Sequence, residues 1–70
     1  MILVFKTSVK YKKWVKKLKP LLDKHLINSN WNFDLEDCDK ILRVDTPMEI
    51  SGLVISLLTE SGFSCEELQE

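Results

Sequence analysis

Hydrophobic and polar residues alternate most clearly between residues 31 and 45. Trp31, Phe33 and Leu35 share one side of a period-two chain, with Asn32, Asp34 and Glu36 opposite. Asp37-Cys38-Asp39-Lys40 is too charged for a strand interior and rich enough in Asp to turn. Beyond it, Leu42 and Val44 share a side while Arg43 and Asp45 take the other. The pattern predicts a β-hairpin with one buried and one wet face. Ile41 falls on the wet side by parity, so that face is not expected to be wholly polar.

Each flank supplies a strand and a helix. Ile2 to Lys6 is a short apolar run, expected as a central strand covered on more than one side. Thr7 or Ser8 is then placed to cap a helix. Tyr11, Trp14, Val15, Leu18, Leu21, Leu22, His25 and Leu26 recur at three- and four-residue steps, with lysines filling the other face. Pro20 cannot donate to the carbonyl of Lys16. Both residues lie towards the polar side, where water can satisfy that carbonyl, so one bent helix of about five turns is expected. Asn28-Ser29-Asn30 ends it.

Thr46-Pro47-Met48-Glu49 has the form of a capping box opening a second helix, with Pro at the first helical position. Its apolar stripe is Ile50, Leu53, Val54, Leu57 and Leu58, and Gly62 supplies a left-handed stop. Phe63-Ser64-Cys65-Glu66-Glu67-Leu68 resumes as the last strand. The order strand, helix, strand, strand, helix, strand is that of the α+β, ferredoxin-like split βαβ fold. It implies one antiparallel sheet in order 4-1-3-2 with both helices on one face. Three connections then meet at one end: Lys6 to Lys13, Glu36 to Lys40, and Ser61 to Cys65. A site is expected there, because loops on a rigid sheet carry function.

Composition adds bounds. With 70 residues the chain makes one domain, residues 1–70, stable by roughly 5 kcal/mol. Ile2-Leu3-Val4-Phe5 is too short for a signal peptide and no stretch reaches transmembrane length, so a cytoplasmic location is expected. Two cysteines suggest reduced thiols. Cys38 and Cys65 belong to opposite parts of the sheet, roughly 10 Å or more apart at ~4.8 Å per strand, too far for a disulfide. Charge is divided sharply. Residues 1–30 carry eight lysines against Asp23 alone, a net +7, and residues 31–70 carry Lys40 and Arg43 against ten acids, a net −8. Such asymmetry bears on partners.

The strand–loop–helix start, the Phe33-Asp34-Leu35-Glu36 strand and the Ser61-Gly62-Phe63 approach to the last strand together resemble the heavy-metal-associated domain of copper chaperones and metal-transporting ATPases. The resemblance spans nearly the whole chain in layout and implies the same fold. That family holds soft metal through a Cys-x-x-Cys pair in the first strand-to-helix loop. Here the loop reads Lys6-Thr7-Ser8-Val9-Lys10-Tyr11-Lys12-Lys13. Cu(I) prefers thiolates, and clustered lysines repel a cation. No residue of the metal pair carries over.

Among the remaining candidates, Cys65 is the best soft ligand, but one thiol makes a poor site and a buried small apolar role competes. Cys38, between Asp37 and Asp39, is expected to stay a thiol. Asp34, Glu36, Asp37 and Asp39 are read as a solvated hairpin rather than an oxygen cage. His25 is read as a helix-end histidine meeting the dipole. The lysine face invites nucleic acid, but the third strand lacks the aromatic platform that RNA binders of this fold use. With one His, two Gly and no phosphate loop, an enzyme is not expected, nor a cofactor.

The expectation is a non-catalytic binding domain acting through protein contacts. Lys10, Lys12, Lys13, Lys16 and Lys17 would meet an acidic partner or the acidic hairpin of a second copy. The alternative is residual Cu(I) or Zn(II) binding through Cys65 and Cys38 across a dimer. Self-association through the open sheet face is a third possibility.

Overall fold

A computed structural model describes residues 1–36 and 40–68. It consists of β1 (Ile2–Thr7), α1 (Lys12–His25), β2 (Asn30–Asp34), β3 (Ile41–Asp45), α2 (Ser51–Glu60) and β4 (Cys65–Leu68). The strands form one antiparallel sheet in order β2-β3-β1-β4, the expected 4-1-3-2 read from the other edge. This is the ferredoxin-like split βαβ arrangement.

One-sided burial sets every register. In β1, Leu3, Phe5 and Thr7 are buried, while Ile2 and Lys6 are exposed and Val4 is half-buried. Leu3 lies opposite Val44, and Phe5 opposite Leu42. Trp31 and Phe33 continue that face by pairing with Val44 and Leu42, as the alternation requires. Leu18, Leu22 and Leu26 of α1 and its following turn, with Val54, Leu57 and Leu58 of α2, close the core over this same face. The first strand is therefore central but covered by helices on one side only. Its apolar run does not mean two-sided cover.

The helices carry four corrections. α1 runs unbroken through Pro20 for 14 residues, nearer four turns than five, with both Lys16 and Pro20 exposed as water access demands. His25 and Tyr11 are exposed rather than part of the buried stripe, and so is Leu53 in α2. Neither Thr7 nor Ser8 caps α1, whose N-cap position is Tyr11 with no side-chain cap. Thr46 and Glu49 form no capping box either. The Thr46 N–H donates to the Met1 carbonyl at 3.0 Å and Met1 N donates to the Thr46 carbonyl at 2.8 Å, which prolongs the β1–β3 ladder. The donor a capping box would return to Glu49 is already used. Glu49 instead accepts from the Ser51 N–H at 2.7 Å, and α2 starts at Ser51.

α2 ends as expected. Gly62 has φ +92°, its N–H donates to the Thr59 carbonyl at 3.0 Å, and Phe63 N–H donates to the Leu58 carbonyl at 2.9 Å. These two bonds are the Schellman pattern. Phe63 and Ser64 are spent on this turn, so the last strand begins at Cys65 rather than Phe63. At the other sheet edge, Leu35 and Glu36 likewise fall outside β2. Ile41 is only 5 % exposed although it lies on the open face, so that face does have an apolar centre.

The two glycines should respond oppositely to alanine. A Cβ at either would meet nothing within 4 Å, so neither effect is one of packing. Gly62→Ala is expected to lose about 1–2 kcal/mol through its left-handed backbone. Gly52→Ala, within α2, should gain up to about 1 kcal/mol in helix propensity. Urea denaturation midpoints of the two variants check both signs.

Candidate functional site

The three connections do converge, and hydrogen bonds tie them. Thr7 Oγ1 donates to the Lys40 carbonyl at 2.7 Å and accepts from the Val9 N–H at 3.2 Å. Ser8 Oγ accepts from the Ser64 N–H at 2.9 Å, while the Ser8 N–H donates to the Ser64 carbonyl at 3.2 Å. Val9, fully buried, pins the loop into the core. Tyr11 then meets Trp14 edge to face, with ring centroids 4.7 Å apart, and Trp14 packs at a tilt on Phe63, 5.4 Å away. The hydroxyls at the start of this loop are consumed internally. No buried side-chain N or O among the described residues lacks a partner, and no three His, Cys, Asp or Glu side chains among them are grouped to hold a metal ion.

The predicted residues are distributed differently around this end. Cys65 opens β4 on the core face opposite Thr7, half-buried and packed against the core. Burial pushes its thiol up from 9.0 to about 11. Asp34 points to the open face, 3.6 Å from Arg43 Nη1, and its Oδ1 accepts from the Glu36 N–H. Cys38, Asp37 and Asp39 lie outside the described residues.

Lys10, Lys12, Lys13, Lys16 and Lys17 are all exposed. Three of them border two different hollows. Lys12 and Lys16, with Val15 between them on the helix, overhang a groove of about 450 Å³ against edge strand β2, whose floor holds Trp31, Phe33 and Leu35. Lys17 borders a second hollow of about 250 Å³ with Trp14, Leu21 and Phe63. Lys13 lies 5.5 Å from the centre of the Tyr11 ring, a cation–π distance.

One positioning group escaped the sequence reading. Asp23 accepts from Trp31 Nε1 at 3.1 Å and from Lys19 Nζ at 2.9 Å, and the Lys19 ammonium sits 6.0 Å from the centre of the Trp31 ring. These bonds hold the Asp23 carboxyl below its ordinary range, Lys19 acting most strongly and Trp31 next. The clasp fixes the indole that forms one end of the groove. Its signal was present, since Asp23 is the sole acid in the first thirty residues, but its partner is set by tertiary packing.

No protein-family profile, curated protein or solved structure gives a significant match to the chain. No helix among the described residues is long and apolar enough to cross a membrane.

The Cys65 thiol provides a direct check of its burial. In a Cys38→Ser background, iodoacetamide at pH 8 should alkylate the native protein about a hundredfold more slowly than the urea-unfolded chain, following the thiolate fraction. The folded thiol keeps its proton to about 11, whereas the unfolded one releases it at 9.0. The associated stability is therefore full below pH 9.0 and is lost as pH rises towards 11. A Cys65→Ser variant should lack this loss.

Proposed function

We propose that this chain is a small non-catalytic binding domain, similar in layout to heavy-metal-associated domains, that docks an acidic protein partner on the lysine-bearing face of α1. The observation that carries this reading is the uncompensated charge at the start of that helix. Lys12, Lys13, Lys16 and Lys17 make no ion pair among the described residues, the first turn contains no acid, and no side chain caps it. Positive side chains thus crowd the positive end of the helix dipole. Lys12 with Lys16, and Lys13 with Lys17, are like-charge pairs one turn apart, each unfavourable by a few tenths of a kcal/mol. Carboxylates arriving from a partner remove both penalties and speed its association. The loop that would carry a metal pair has no cysteine, and its Thr7 and Ser8 hydroxyls are engaged internally.

Lys12→Glu and Lys13→Glu should each stabilise the isolated domain, by about 0.5 kcal/mol, because an acid suits this end of the helix. The same pair of changes should abolish binding of a decaglutamate peptide followed by NMR titration. For the unmodified protein, that binding should weaken about tenfold from 50 to 500 mM salt. An affinity equal at both salt concentrations would count against the lysine face.

A further inference from the structure

The groove beneath Lys12 and Lys16 runs along the β2 edge of the sheet, which no strand among the described residues covers. β2 is bonded to β3 on one side only, and its outer edge carries neither Pro nor Lys, two common devices that keep such edges unpaired. The groove is lined by the consecutive residues 31 to 36, so the strand's outer margin as well as its core face opens into it. Val15, Trp31, Phe33 and Leu35 are half-buried there. They form an apolar floor that α1 leaves incompletely covered. The opposite edge strand, Cys-Glu-Glu-Leu in β4, has acids at its centre and no such lysine wall.

We infer that the β2 edge accepts an extended acidic segment of a partner protein as a fifth strand, its backbone paired to β2 and its α1-facing side chains seated in the groove. This deepens the docking function proposed above and rests on it. The spacing fits. Lys12 and Lys16 are four residues apart on α1, a rise of about 6 Å. Side chains on one face of a strand are two residues apart, about 6.6 Å. A strand laid beside β2 therefore offers successive same-face positions at the lysine repeat, with their carboxylates reaching the ammonium groups and their methylene stems covering Val15 and Phe33, while the intervening side chains take the open face. Main-chain hydrogen bonds supply affinity, and the alternate pockets supply selectivity. Of the two acids lining the groove, Asp34 faces the other side of the sheet and is paired with Arg43, while the exposed Glu36 lies beyond the end of β2, where the ligand should place no carboxylate. The Asp23 clasp keeps Trp31 in place as the far wall.

The test uses the whole protein labelled with ¹⁵N and a capped octapeptide alternating Glu and Val, with two controls: the same peptide N-methylated at every second amide, made in both registers, and a scrambled peptide of equal composition. The expected result is saturable binding with slowed amide exchange along 30–34. Affinity should fall about tenfold or more for one N-methylated register and for Lys12→Glu/Lys16→Glu, and about threefold or more for the scrambled peptide. Equal binding of both N-methylated peptides and the parent, still lost in the lysine variant, overturns strand addition while leaving the acidic-partner reading intact. Binding insensitive to the lysine variant and to salt overturns both. If the protein instead self-associates, and Glu66→Lys/Glu67→Lys abolishes that association, the occupant is β4 of a second copy and the inference fails.

Discussion

The register of β1 between β3 and β4 is the constraint on which the other parts depend. Phe5, wholly buried, sits opposite Leu42 in one neighbour and Glu67 in the other. A slip of one residue would turn Leu3, Phe5 and Thr7 to the open face and bring Lys6 under the helices. Both helices pack on the surface this register creates, and the three connections at one end meet only because β1 ends at Thr7. The Thr7 hydroxyl then joins that strand end to Lys40.

That end is closed by its own hydrogen bonds. Thr7, Ser8 and Ser64 satisfy one another and neighbouring backbone groups, and Val9 fills the space beneath. The Thr7 and Ser8 oxygens stabilise the junction between loops. Beside it lie Tyr11 with Lys13 near its ring, and Trp14 against Phe63.

The electrostatics of α1 run against the helix dipole at one end. Helices are usually stabilised by acids near the N-terminus and bases near the C-terminus. α1 meets the second condition with Lys24 and His25 and violates the first with Lys12 and Lys13. Its one ion pair among the described residues, Lys19 with Asp23, is exposed and contributes little by itself. Its value lies in orientation, since the same carboxylate holds the Trp31 indole and so shapes the groove.

The order of elements, the sheet topology, the buried hairpin face and the Gly62 stop were legible in the residues themselves. Each follows from a local rule: period two or 3.6 for one-sided burial, and a left-handed turn that favours glycine. The lysine face was legible as charge. The groove was not, because it exists only where α1 passes the free edge of β2, and Val15 and Phe33 are eighteen residues apart in the chain. Tertiary structure also decided Thr46. Its sequence fits a helix cap, yet Met1, forty-five residues away, takes its backbone into the sheet. It buried Val9 and Ile41 and paired Asp23 with Trp31 as well. A residue's periodicity reports which face it shares with its neighbours, whereas its hydrogen-bond partners and cover depend on which distant segments the fold brings beside it.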